Sequence, residues 1–444
     1  MPEISAGDTA WVLASSALVL LMTPGLAFFY GGMVRSKNVL NMLMMCFICL
    51  AIVPVLWVLY GYSMAFDTDI GAGLLGGLGK VGLSDVGLDS VSGTIPEFAF
   101  VAFQLMFAII TIALVSGAIA DRARFGAWAL FVVLWVTIVY LPVAHWVFAF
   151  SEGEGGWIGD RLGALDFAGG TAVHINAGAA ALALALVIGK RTGWRTEQMR
   201  PHNLPFVVLG AGLLWFGWFG FNAGSAVAAN GLAAGAFVNT TVATAAAILG
   251  WLAVEVVRDK HATTLGGASG AVAGLVAITP ACAAVSPIGA IVVGLLAGIA
   301  CALAVGLKYR FGYDDSLDVV GVHLVGGLVG TLLIGLLATA AFTGGAEGLF
   351  YGGGVDQLGR QAVAAGAVMV YSFVVTYVLG TIVHRTVGFR ASRDAEAEGL
   401  DQTIHAETAY ELLGVGGGTP VSRRASDTEA AHVRTATSEE GVNA

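Results

Sequence analysis

The sequence predicts an all-α polytopic membrane protein, and three observations lead there. The chain is 57% hydrophobic and only 11% charged, with a mean hydropathy of +0.82. A soluble domain is about one-quarter charged. Its apolar segments run for about 20 residues, the length that crosses a hydrocarbon core as a helix, and do not alternate as barrel strands do. Backbone groups in lipid have no water to bond, so such runs span as helices. The third observation is the distribution of Lys and Arg between the runs.

Eleven runs lie near 10–32, 39–62, 98–119, 125–147, 167–188, 204–224, 231–256, 264–283, 287–307, 318–340 and 362–384. An odd number places the termini on opposite faces. With the N-terminus outside, 18 of the 21 Lys and Arg residues fall inside, and only Lys80, Arg161 and Arg360 remain outside. That bias orients the chain N-out and C-in. The opening "MPEISAGDTAW" lacks the basic region of a signal peptide, so it reads as the lead into the first span.

Residues 1–390 read as the membrane domain and 391–444 as a cytoplasmic tail that is polar and disordered after about residue 411. "GVGGGTP" (414–420) lacks the Gly-Lys-Ser/Thr of a phosphate loop and reads as linker, so nothing here hydrolyses ATP. The net charge of −9 gives no reason to expect nucleic acid. Cys46, Cys49, Cys282 and Cys301 lie in or beside apolar runs without a ligand-spaced partner set, so they read as packing residues and not a metal site. Glycine is abundant, with 63 residues, many at the small-xxx-small spacing that lets helices approach closely in lipid.

Two segments echo each other. "DFAGGTAVHIN" (166–176) carries Asp166 and His174; "DVVGVHLVGG" (318–327) carries Asp318 and His323. Each closes a group of five spans, about 10–188 and about 204–340, with the helix near 362–384 left over. Five is odd, so the second group enters from the opposite face as an inverted repeat. Such repeats place a pathway at their interface near mid-bilayer. Ionisable groups inside a membrane mark pathways, which favours a functional pair over two packed core histidines. Asp166 and Asp318 stand at helix starts, where a carboxylate caps free amides, and capping is the expected role of both.

These segments resemble signatures of the ammonium transporter (Amt/Mep/Rh) family. So do "TPGLAFFYGGMVRSKN" (23–38), "WFGWFGFNAGSA" (215–226) and the tail "GLDQTIHAETAYE" (399–411). The resemblance implies a homotrimer of eleven-helix subunits, each with its own pore for ammonium or ammonia, methylammonium serving as analogue. It implies no cofactor. His174 and His323 match the twin pore histidines and Trp218 a pore-lining tryptophan. Phe107 and Phe221 match a gate of stacked rings, and Phe103 and Ser225 an outer recruitment site supported by Asp166. The tail residues Gly399, Leu400, Asp401, His405, Glu407 and Tyr410 match a regulatory motif that couples to PII-type nitrogen-signalling proteins.

One departure stands out. The family places a tryptophan where this chain has Phe148, followed by a longer acidic loop. Tryptophan is the strongest cation–π partner, so the expected recruitment site is weaker, unless Trp157 substitutes. Three rival readings exist: an ammonium sensor acting through a partner, a membrane electron carrier with His174 and His323 ligating haem, and a pore for carbon dioxide. The fullest reading is ammonium bound at an aromatic rim, deprotonated near the phenylalanine gate, and conducted as ammonia past the histidines.

Overall fold

A computed structural model describes residues 4–410; the expectation of disorder after 411 lies outside the described residues. Eleven helical segments follow the apolar runs: α1 Ala6–Met33, α2 Ser36–Phe66, α3 Glu97–Ile119, α4 Phe125–Phe148, α5 Gly170–Ile188, α6 Leu204–Gly224, α7 Gly231–Asp259, α8 Thr264–Ile278, α9 Pro287–Phe311, α10 Val320–Leu337 and α11 Asp356–Thr386. Ten of them, among the described residues, are long and apolar enough to cross a membrane. The exception is α8, apolar but only 15 residues long. It ends earlier than its run suggested because Pro280 has no amide to continue the ladder. The chain goes on to Val285 through tight turns closed by Ala281 N to Ile278 O and Ala284 N to Ala281 O.

Capping sets several starts. Asn203, Asn230, Thr263 and Ser286 accept from backbone amides three residues on, at α6, α7, α8 and α9. Bends have identifiable causes: Pro24 lies inside α1, and Pro54 precedes a π-turn at Trp57–Gly61 in α2. Another π-turn, Val136–Tyr140 in α4, stands just ahead of Pro142. A two-residue hairpin, β1 Val91–Ser92 with β2 Ile95–Pro96, leads into α3.

Helix α1 runs along α6, α7 along α8 and α9, and α5 along α11. Small residues permit the closest approaches. A Cβ on Gly294 of α9 would stand 2.0 Å from the Ala243 carbonyl oxygen of α7, and one on Gly298 would stand 2.1 Å from that of Ala247. The core is aromatic. Trp57, Trp128, Trp135 and Trp218 are fully buried, and their indole N–H groups donate to Val101 O, Met45 O, Thr376 Oγ1 and Thr279 Oγ1. Apolar side chains such as Val55, Leu59, Leu249, Leu295 and Val374 instead face outward, as lipid contact requires.

One face is closed by an ionic layer drawn from several loops. The Arg191 guanidinium donates to both oxygens of Asp314 (2.8 and 2.9 Å) and to Asp121 (3.3 Å). Arg35 also reaches Asp121, at 3.3 Å. Arg122, fully buried, donates to the carbonyls of Ala118, Ala120 and Asp314 and to Ser316. Burial alone would raise the Asp314 carboxyl, but the Arg191 hydrogen bonds and the Arg122 charge outweigh it and hold it below the usual carboxylate range.

The tail motif docks on this layer. Two short helices, α12 Arg393–Glu398 and α13 Leu400–His405, meet at Gly399, whose φ of +125° suits glycine alone. Asp401 accepts from the amides of Leu40 (3.0 Å) and Asn41 (2.8 Å), capping α2. The Leu400 amide donates to Asn38, and the His405 ring lies 3.1 Å from Asn41 Oδ1. Glu407 is exposed, its amide donating to Asp401 O. The chain forms one compact unit up to Ala409; Tyr410 opens a second and is the only residue of it described.

The α7–α9 approach gives a stability test. Gly298→Ala pushes a methyl into a backbone carbonyl that cannot step aside, so it should cost about 1–3 kcal/mol. Gly366→Ala, on α11 with nothing near its Cβ, should be neutral or slightly stabilising. Thermal unfolding in detergent checks the pair, and equal midpoints for both variants would refute the close packing.

Candidate functional site

Segments α5 and α10 both begin with a π-turn, Gly170–Ile175 and Val320–Leu324, and each turn carries a histidine. A π-turn widens the helix by one residue and is frequent at functional sites. Here the two turns bring the rings of His174 and His323 face to face. Their Nδ1 atoms are 3.3 Å apart and the planes 25° from parallel. Two ring nitrogens in contact need one proton between them, so one Nδ1 donates and the other accepts. Both residues are buried, and His174 Nε2 has no partner among the described residues.

Glycines enforce the approach reciprocally. Gly178 lies four residues after His174, and its missing Cβ would stand 2.4 Å from the amide of Leu324, next to His323. Gly327 lies four residues after His323, and its Cβ would meet Ile175 at 3.0 Å and the His174 side chain at 3.2 Å.

Above the histidines stands a stack of rings. Trp218 lies 5.5 Å from His174 and nearly parallel to it, and Phe221 lies 6.2 Å away. Phe221 packs on Phe107 at 4.3 Å. A cavity of about 10 Å³, lined by His174, His323, Trp218, Phe221 and aliphatic side chains, remains beneath them. That is room for about one water-sized molecule. A porphyrin has no place between the rings, so the haem reading does not fit this geometry.

On the far side of the phenylalanines opens a vestibule of about 830 Å³. Phe107, Phe148, Gln104, His145, Asp166 and Ser225 line it, together with the carboxylates of Asp67, Asp69 and Glu97. Lys80 also lines it, and it is paired with Glu97 at 2.5 Å. The Ser225 hydroxyl donates to Phe221 O (2.7 Å), which leaves its lone pairs to accept. Phe148 lies 6.5 Å from Phe107. Phe103 is fully buried behind Phe107 and does not line the vestibule. Trp157 does not line it either; the ring packs on Trp146 at 5.7 Å.

Asp166 behaves as a cap. It accepts from the amides of Gly169 (2.8 Å), Gly170 (2.6 Å), Thr171 (2.8 Å) and Ala172 (3.3 Å), and from the Thr171 hydroxyl. Asp318 does not, contrary to expectation. Its φ is +64°, and its carboxylate pairs with Lys308 at 2.6 Å. The carboxylate that caps α10 is Asp315, whose Oδ2 accepts from Val320 N at 2.7 Å. Aligning Asp166 with Asp318 therefore set the repeat three residues out of register. Asp315 lies eight residues before His323, just as Asp166 lies eight before His174, a count that was available in the sequence.

Gln104 and His145 were also missed, since neither carries a signal until the vestibule is assembled. His145 contacts Ala65 O (2.9 Å) and Asp69 (3.2 Å), and Asp69 meets Arg161 at 2.8 Å, pinning the loops around the vestibule.

Comparison with known proteins agrees with this architecture. The sequence model described as Ammonium Transporter Family matches residues 10–410. An ammonium transporter of Mycobacterium tuberculosis is 61% identical over 91% of this chain and 90% of its own. One from Bacillus subtilis is 50% identical over 91% of this chain and 98% of its own. Among solved structures, Saccharomyces cerevisiae Mep2 superposes with a TM-score of 0.82 at 35% identity, covering 88% of this chain and 89% of its own. A structure described as a sensor Amt protein gives 0.82 at 29% identity, covering 89% of this chain and 97% of its own. The chain belongs to the ammonium transporter family.

Proposed function

We propose that this chain carries ammonium across the cell membrane as an eleven-span, N-out and C-in subunit of a homotrimer, with α8 as its short eleventh span. The observation that carries the reading is the His174–His323 pair, sealed from the vestibule by Phe107 on Phe221, with room beside it for about one small molecule.

The vestibule recruits. Its carboxylates raise the local concentration of cations before any contact is made. Phe148 and Phe107 then offer aromatic faces worth about 0.5–2 kcal/mol each to a cation, and Ser225 an acceptor. That replaces part of the hydration shell and leaves binding weak enough for release. The stacked phenylalanines close the route to hydrated ions. Ammonium passes its proton to water of the vestibule at this boundary, and ammonia enters the cavity. It donates to and accepts from the imidazoles, which sodium and potassium cannot do. The docked tail, from Gly399 to Ala409, is the surface through which a PII-type protein would act, with Tyr410 following it in the motif.

Current and methylammonium uptake in proteoliposomes, across several pH values, test the reading directly. Uptake above that of protein-free vesicles is expected, and its absence would reject transport. His174→Asp puts a fixed carboxylate in the conduit and should admit potassium; selectivity unchanged from the parent would count against the histidine rail. Phe148→Trp should strengthen recruitment by about 0.5–1 kcal/mol, a two- to fivefold lower half-saturating methylammonium concentration. No change there would remove Phe148 from the rim.

A further inference from the structure

The two halves place a carboxylate at the same register, eight residues before each pore histidine, but do not treat it alike. Asp166 receives four backbone amides and a hydroxyl. Asp315 is more deeply enclosed, 1% exposed where Asp166 is half-buried, yet within hydrogen-bond geometry only its Oδ2 accepts, from Val320 N, with Val319 N the one other amide acting on the carboxylate. Its Oδ1 is buried with no hydrogen-bond partner among the described residues. An ionised oxygen held that way lacks the donors that would offset its lost hydration.

The charged neighbours do not supply them. Lys308 directs its ammonium to Asp318 Oδ1 (2.6 Å) and to the Asp315 carbonyl (3.1 Å), not to the Asp315 carboxylate. Asp314 is taken up by Arg191 and Arg122. Tyr313, and Tyr30 from α1, stand within electrostatic reach; the Tyr30 hydroxyl is committed to Leu114 O at 3.0 Å.

Resting on the conduction reading above, we propose that Asp315 is a proton-controlled positioning residue for the histidine pair. Ionised, it holds the first turn of α10 and so keeps His323 against His174. A proton bound at Oδ1 weakens the cap and slows conduction. Asp166 has donors on both oxygens and leaves none bare in that way. Burial first, and then the charge of Asp318, push the Asp315 carboxyl up to about 6, with Lys308 acting in the opposite sense. An ordinary aspartate titrates near 3.9 and would stay ionised throughout the cellular range. Conduction is therefore full above the raised value and falls as pH drops through it.

The test is methylammonium uptake by the full chain in proteoliposomes, with equal pH on both faces, between about pH 8 and about pH 5. The parent should lose uptake about fivefold across one inflection, the scale of a lost helix cap. Asp315→Asn should be low and flat across that range. Lys308→Met should move the inflection to higher pH, and Asp318→Asn to lower pH, because one removes a stabilising cation and the other a repelling anion. An Asp315→Asn profile that keeps the parental inflection overturns the proposal, as do midpoints unmoved in both neighbour variants. Uptake absent from the parent at every pH rejects the conduction reading instead. Infrared difference spectra of the parent then still decide on Asp315: a protonated-carboxyl stretch should appear on acidification, shift its midpoint in Lys308→Met, and be missing in Asp315→Asn. A spectrum without that band overturns the proposal whether or not the variants fold.

Discussion

Two imidazoles in direct contact beside a small, largely apolar cavity are the constraint around which the rest is arranged. A buried ring nitrogen without a partner is costly. The Nδ1 atoms of His174 and His323 satisfy each other across 3.3 Å. That requires two helices from different halves to cross closer than ordinary side chains allow. Gly178 and Gly327 make the crossing possible, and the π-turns at Gly170–Ile175 and Val320–Leu324 aim the rings. The carboxylates of Asp166 and Asp315 then hold the first turns from which the rings project.

The two sides of the histidine pair are built from opposite materials. Towards the vestibule the seal is aromatic, Phe107 on Phe221, backed by Phe103 and flanked by Phe148. Aromatic faces receive a cation without binding it tightly. Towards the tail the closure is ionic: Arg191 joins Asp314 to Asp121, and Asp401 anchors the tail on the first turn of α2. Breaking one partner of such a buried network leaves the other charge unpaired, which costs more than the pair contributes. The tail motif thus bears on loops that carry the helices of the conduit. Hydrogen bonds link Leu400 of the tail through Asn38 and Asp121 to Arg191 and Asp314, just before the start of α10.

Much of this was legible beforehand because lipid imposes simple rules. Length and hydropathy located the segments α1–α11, although Pro280 shortened α8 in a way that a hydropathy window does not register. The odd placement of His174 and His323 in apolar runs identified the pair without any geometry. The register of the repeat was harder. Asp318 sits in the more obvious motif, but its positive φ and its bond to Lys308 remove it from the helix start. Trp157 looked available to replace the missing tryptophan, yet it lies against Trp146, where only the folding of the long loop could have put it.

Composition and spacing alone therefore determined the solvent of this protein, its helical class and the identity of the paired histidines. Each depends on local chemistry read along the chain: apolar length, charge between runs, an ionisable group where none is cheap. Tertiary structure alone decided which oxygens and nitrogens are satisfied. Asp166 collects donors while Asp315 leaves an oxygen bare, and Ser225 faces the vestibule while Phe103 turns away from it. Hydrogen-bond saturation and burial are properties of segments far apart in the chain meeting in space, and no pattern of neighbours in sequence encodes them.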